Sequence, residues 1–375
     1  MVEATSSQPL EPMNIMINMG PQHPATHGVF RMVLWVDGER VVDVEPHIGY
    51  LHRGSEKLCE GEVYPQIVTL FDRLDYISNL NNELVFTMAV EKLMDVQVPE
   101  RAEYIRVILC ELNRISSHLL FYGTFGLDAG AMTPALYSFR ERERIQRLFE
   151  SVTGARMMHN YFRVGGLKQD VPEDFNERVL QVIQELEKAI NECDQLLSKN
   201  EVFLARTRNI GVISSEDAIA LGVSGPSLRA TGIPYDLRVI EPYSVYDRFE
   251  FDIPVGKLGD SWERYALRVE EMRQSVSIIK QALQQLPENS PVMASGLRRL
   301  PRPPKGEVYV RAENPRGEFG VYLVSAGETK PYRVKVRAPS FVNLQALKLL
   351  LRNVYVADAV VILGSLDIVL GEVDR

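Results

Sequence analysis

This 375-residue chain has few cysteines, no long apolar run and no excess of positive charge. Cys59, Cys110 and Cys193 are its only cysteines and form no C-x-x-C unit. That argues against a cysteine-built zinc site or iron–sulfur cluster and suits a reducing compartment. No apolar stretch reaches the roughly 18 residues that a bilayer crossing needs. The most apolar piece, VADAVVILGSLDIVLG, is broken by Asp358, Gly364 and Asp367, so a membrane role would have to run through partners. The opening MVEATSSQPLEPMN lacks the basic and apolar stretches of a secretory signal. With 42 Lys and Arg against 50 Asp and Glu, the formal charge is -8, which disfavours a nucleic-acid binder driven by bulk electrostatics. Neither GxGxxG nor a GxxxxGK phosphate loop occurs, and no G-x-S-x-G elbow is present, so nucleotide and ordinary hydrolase chemistry lack their usual signals.

What is present suits a large folded core: 45% of residues are hydrophobic and 25% charged. MNIMINMG alternates like a strand, and FRMVLWV-DG-ERVVDVE predicts a hairpin turning at Asp37-Gly38. The segment PERAEYIRVILCELNRISSHLLFYG carries apolar residues at helical spacing between Pro99 and Gly123, which predicts a helix closing at that glycine. Further helices are predicted at about 136–158, 172–198 and 260–286. After the Pro- and Arg-rich connection at 298–307, EVYVRAE, EFGVYLVS and PYRVKVRA read as three strands, followed by a short helix in FVNLQALKLLLRN and a final apolar segment. The expected class is α+β: a flexible extension at 1–13, then one domain over 14–375. Within it, 14–60 is β-rich, 61–297 a predominantly helical core and 298–375 a C-terminal β-containing part.

All six histidines lie in the first 159 residues, so a site using imidazole must draw on that half. In GPQHPATHGVF, His23 and His27 are four apart, a spacing that holds a metal on a helix. Pro24 and the flanking glycines argue instead for a shaped loop. In FDRLDY, the charged residues Asp72, Arg73 and Asp75 precede Tyr76; they either support the phenol or satisfy one another at a helix end. The supporting version is chemically coherent, because a Tyr donor and a His donor can hold a carbonyl oxygen while a carboxylate orients the imidazole.

The ordered series GPQHPATHGVFR, GYLHRGSEKL, FDRLDY, ELNRISSHLL, DAGAMTP, FRERE, YFRVGG, SGPSLRA and GSLDIVLGEVDR resembles the 49 kDa, or D-type, subunit of respiratory complex I and its photosynthetic counterpart, from about residue 14 to the C-terminus. The resemblance implies a fold shared with the nickel–iron hydrogenase large subunit, without the paired cysteine motifs that hold the bimetallic centre there. It implies a quinone headgroup site in which His27 and Tyr76 are the ligands, Asp128 is the carboxylate linked to His27, and His23 shapes the loop. Arg53, Arg73 and His159 match positions near the terminal 4Fe–4S cluster, which a partner holds. No metal or cofactor is expected on this chain alone; further iron–sulfur clusters and FMN belong to other subunits. The implied partners are the cluster-bearing B-type subunit, the C-type 30 kDa subunit and the membrane-arm H-type subunit, with no nucleic acid. The implied place is peripheral, on the cytoplasmic side of a bacterial plasma membrane or on a thylakoid or other energy-converting membrane. Two rivals stay open: a noncatalytic scaffold of such a complex, and a subunit of a ferredoxin-dependent or membrane-bound hydrogenase-related complex.

Overall fold

In the computed structural model, residues 15–375 are described, and the extension expected at 1–13 lies outside them. Strands β1 (Ile15–Met19), β2 (Arg31–Asp37) and β3 (Arg40–His47) form an antiparallel sheet in that order. The hairpin exists, but its register pairs Asp37 with Arg40, so the two-residue turn is Gly38-Glu39 and not Asp37-Gly38. Gly38 takes φ +58 at the first turn position, where glycine is the residue that does so cheaply.

Helices α1 (Ser55–Gly61), α2 (Tyr64–Phe71) and α3 (Asn79–Met94) follow, with α1 beginning inside the stretch expected to be β-rich. Next come the long α4 (Glu100–Asp128) and α5 (Thr133–Thr153), the small hairpin β4 (Phe162–Arg163) and β5 (Gly166–Leu167), and α6 (Phe175–Leu197). The short helices α7 (Glu201–Thr207), α8 (Ser215–Ala220), α9 (Pro226–Arg229) and α10 (Leu237–Ile240) lead to α11 (Ser261–Gln285). A second antiparallel sheet, β6 (Gly306–Asn314), β7 (Gly317–Ser325) and β8 (Pro331–Arg337), matches the three strands read from sequence. The chain closes with α12 (Pro339–Leu344), α13 (Leu347–Leu350), α14 (Val356–Leu366) and α15 (Leu370–Asp374). The expected α+β class, with a helical centre between two β regions, is thus borne out, and the final apolar segment is helical.

The helix predicted to stop at Gly123 runs on to Asp128. A Cβ on Gly123 would lie 2.3 Å from Ser138 Oγ, and one on Gly126 would lie 2.9 Å from Pro134. These glycines let α5 approach α4; contact with the neighbouring helix outweighs the roughly 1 kcal/mol that an interior glycine costs. The overrun matters because it delivers Asp128.

Three apolar cores hold the elements. Helices α4, α5, α6 and α11 share the largest, while β6–β8 pack on α1–α3. The third joins the ends of the chain: Phe30, Met32, Leu34 and Val44 of the N-terminal region meet Leu347, Leu351, Ile362 and Leu366. No helix among the described residues is long and apolar enough to cross a membrane.

Charge is also buried. Arg229 is fully enclosed and donates to Glu271 at 2.6 Å and Glu313 at 2.7 Å, while Arg238 donates to Asp236 at 2.7 Å. Glu271 also meets His118 Nε2 at 2.9 Å. Burial opposes ionisation of Asp236, but the Arg238 and Arg229 guanidiniums outweigh it and hold its carboxyl at about 2. The unfolded value is near 4, so this stabilisation is present above about pH 4 and lost as the pH falls toward 2. Arg229→Met takes the guanidinium from two buried carboxylates, leaving Glu271 with His118 alone as its bonded partner, and is expected to cost about 3–5 kcal/mol in urea unfolding of the full chain at neutral pH. A loss below about 1 kcal/mol would show that these pairs do not hold the core.

Candidate functional site

The 20–30 loop is shaped by its backbone. Gly20 has φ +82, and a Cβ there would lie 2.0 Å from the Phe30 carbonyl oxygen, so no other residue fits without moving the chain. Pro24–Thr26 form a single 3-10 turn. His23 Nδ1 accepts from the Ala25 amide at 3.2 Å, and Thr26 Oγ donates to the His23 carbonyl at 2.8 Å. His27 ends that turn at φ 50, ψ 45, a left-handed geometry costing on the order of 1 kcal/mol for a non-glycine residue. The two histidines thus differ in use, and they do not occupy one face of a helix.

His27 Nε2 stands 2.9 Å from Asp128 Oδ2, with the two side chains 16% and 10% exposed. Asp128 is the last residue of α4, at the negative end of the helix dipole, where a carboxylate is unfavourable without a cation. Burial is the strongest influence on His27 and opposes its charging. The Asp128 hydrogen bond, with the charges of Asp128 and Asp367, together overcome it, while Arg316 pulls the other way. The net effect raises the proton affinity of the imidazole above its ordinary value.

Tyr76 lies in the turn between α2 and α3. Asp75 Oδ1 accepts from the Ile77 and Ser78 amides at 3.1 and 3.2 Å, and Oδ2 accepts from Arg316 Nη1 at 2.7 Å. Asp72, Arg73 and Asp75 do not satisfy one another. Asp72 accepts from Asn79, which also bridges to Glu83, and Arg73 is exposed with Nη1 on the Thr69 carbonyl at 2.6 Å. Burial first, then the Asp75 charge, raises the Tyr76 pKa, so its phenol stays protonated at neutral pH.

Both halves rest on the C-terminal segment. A Cβ on Gly364 of α14 would lie 2.3 Å from Asp128 Oδ2, and one on Gly371 of α15 would lie 2.5 Å from the Leu74 carbonyl and 3.4 Å from the Tyr76 ring. Asp367, between them, accepts from Arg316 through its carbonyl at 2.8 Å and its carboxylate at 3.2 Å. Sequence reasoning singled out none of Arg316, Gly364, Asp367 and Gly371 as a site residue. The only signal for Gly364, Asp367 and Gly371 was the motif GSLDIVLGEVDR, whose apolar run they interrupt, and Arg316 sits in the unremarkable turn NPRG.

The other candidates stand apart from the His27–Asp128 pair. Arg53 is exposed and makes no hydrogen bond among the described residues. His159 is 4% exposed, lies edge-on to Phe149 at 4.7 Å, and shares no hydrogen bond with Arg53 or Arg73. Burial chiefly, with the Arg142 charge adding, lowers its pKa to about 4, so it is neutral at physiological pH. Cys59, Cys110 and Cys193 are buried free thiols on α1, α4 and α6, and burial pushes Cys59 up to about 12. Among the described residues no group of three or more His, Cys, Asp or Glu could hold a metal ion. Neither the cleft of about 590 Å³ between α5 and α6, lined by Arg140, Arg144, Arg178 and Glu185, nor the larger one of about 650 Å³ beside Asp43, Leu221 and Lys348 contains a candidate residue, so cleft size does not mark this site.

The family described as "Respiratory-chain NADH dehydrogenase, 49 Kd subunit" matches residues 128–302 and 296–375. The chain is 49% identical over 360 residues to the D-type subunit of NADH-quinone oxidoreductase from Bacillus mycoides, covering 96% of this chain and 98% of that protein. It is 51% identical over 359 residues to the same subunit of the Desulforamulus reducens enzyme, with the same coverage. A D-type subunit from Roseiflexus sp. is 50% identical over 373 residues, covering 98% of this chain and all of that protein.

The His27 environment fixes a signed expectation. Asp128→Asn removes the hydrogen-bonded charge; burial, the largest influence, and Arg316 then lower the proton affinity against the weaker opposing charge of Asp367. A pH titration of the His27 ring resonance in the full chain should move from above about 6.5 to below it. An unchanged midpoint would mean that Asp128 does not set the charge of His27.

Proposed function

Since the chain belongs to the family of the 49 kDa, or D-type, subunit of NADH-quinone oxidoreductase, we propose that Tyr76, His27 and Asp128 form the quinone headgroup site of that enzyme. The chain is a peripheral-arm subunit of the complex. The observation that carries the site assignment is the His27–Asp128 bond of 2.9 Å, built on the same C-terminal segment that backs Tyr76. It brings an imidazole whose protonated form Asp128 favours and a neutral phenol onto one framework.

Reducing a quinone to a quinol takes two electrons and two protons. The Tyr76 hydroxyl donates a hydrogen bond to a quinone carbonyl oxygen, and it has no partner among the described residues to compete. His27 is held by Nε2, which leaves Nδ1 to face the headgroup as a second donor. Asp128 favours the protonated ring, and delivery of that proton to a reduced oxygen would leave the carboxylate without its cation. A 4Fe–4S cluster held by the B-type partner would supply the electrons, reaching it from NADH through FMN and further iron–sulfur clusters in other subunits. The exposed guanidiniums of Arg53 and Arg73 suit positions facing that cluster, whereas the buried, neutral His159 would act through the α5 packing behind it. The C-type 30 kDa and membrane-arm H-type subunits complete the surroundings, and the assembly lies on the cytoplasmic side of the membrane.

Tyr76→Phe keeps the ring and removes the donor. In assembled complex, quinone turnover should fall by about a hundredfold, measured across quinone concentrations. Near-normal turnover would remove Tyr76 from the site. Arg53→Met takes a positive charge from the side facing the cluster, so the reduced cluster should be less favoured and its potential should drop in a redox titration. An unchanged potential in a correctly assembled complex would reject that placement.

A further inference from the structure

Arg316 occupies the two-residue turn between β6 and β7, where Asn314 pairs with Gly317. A turn arginine normally reaches into water. This one is 1% exposed. Its Nη1 donates to Asp75 Oδ2 at 2.7 Å and to Ser117 Oγ at 3.0 Å, its Nε to the Asp367 carbonyl at 2.8 Å, and its Nη2 to Asp367 Oδ1 at 3.2 Å. Those partners lie beside Tyr76, on the helix that ends in Asp128, and at the C-terminal cap of α14.

We propose that Arg316 is the positioning residue of the Tyr76–His27 site: one guanidinium clamps the Tyr76 turn, α4 and the end of α14 together, and so sets both the spacing and the charge balance of the two donors. A planar fork with five N–H groups can tie three elements at fixed angles, which a lysine ammonium cannot do. The electrostatic surroundings agree with the geometry. Arg316 lowers the proton affinity of Tyr76 and of His27, against Asp75 for the phenol and against Asp128 and Asp367 for the imidazole. From α15, burial and the Asp75 charge raise Glu372 to about 8, opposed by Arg316, and from α11 Arg268 reaches Asp367 at 3.6 Å. Asp75, Asp367, Arg268 and Asp128, with the titratable Glu372, are therefore the groups among which Arg316 acts. The account rests on the quinone reading of Tyr76 and His27, although the clamp itself does not.

The test uses membranes with intact complex carrying R316M or R316K. With R316M, amide exchange in 72–78 and 366–371 should speed up by about tenfold or more, as expected for losing charge-assisted bonds. Quinone turnover should fall by about tenfold or more, and its alkaline limb should move to higher pH because a cation that disfavours protonated His27 is gone. R316K should keep the limb near its original pH while exchange still rises, because the charge remains and the fork is lost. If R316M does not assemble, R316K alone decides, through the same pair of readouts. Exchange unchanged in these segments overturns the clamp, and a limb displaced equally by both variants overturns the charge assignment. Failure of the quinone reading would appear separately, as normal turnover in Tyr76→Phe with the exchange effect of R316M intact.

Discussion

A charge withdrawn from water must find a partner, and in this chain the partners are distant in sequence. Arg316 answers Asp75 and Asp367, Arg229 answers Glu271 and Glu313, and His27 answers Asp128. Removing one side of such a pair leaves the other buried and uncompensated, a much larger penalty than loss of a surface ion pair. The pairing therefore restricts how helices α4, α11 and α14 can sit against the two sheets. Apolar contact supplies most of the drive to collapse, while the charges narrow the number of acceptable arrangements.

That restriction places chemistry where the chain's ends meet. The N-terminal loop carries His27, the long α4 brings Asp128, the turn after α2 carries Tyr76, and the last two helices pack behind them. Glycines at 364 and 371 make the approach close enough, because a methyl group at either position would collide with Asp128 or with the backbone before Tyr76. A donor pair mounted on four elements in this way costs stability: His27 is held in a left-handed conformation, and Asp128 faces the wrong end of its helix. Together these costs mark a position kept for more than packing.

Much of the architecture was legible because period and punctuation carry physical meaning. The alternating runs of β1–β3 and β6–β8, and the apolar stripes of α4, α6 and α11, were read correctly. The turn register and the end of α4 were not, since both rested on a glycine whose role depends on a neighbour: Gly38 opens its turn and Gly123 admits Ser138. Helix α3 was missed because its buried face includes Asn79, Asn81, Asn82 and Glu83, which hide an apolar stripe. At the site, His27, Tyr76 and Asp128 came from the family resemblance. The bond between the first and last of these is geometry that no local pattern contains. Arg316 was invisible for a simpler reason, as NPRG reads as a solvent turn until the chain is folded over it.

The central claim is that His27 and Asp128 act as one unit in quinone reduction, and a double-mutant cycle addresses it most directly. Turnover would be measured in intact membranes for His27→Ala, Asp128→Asn and the pair, each with assembly verified. If the two share one interaction, the double variant should be little worse than the more damaging single one, with a coupling energy of about 1–3 kcal/mol. Free-energy losses that simply add would contradict the account and leave the 2.9 Å bond a structural feature.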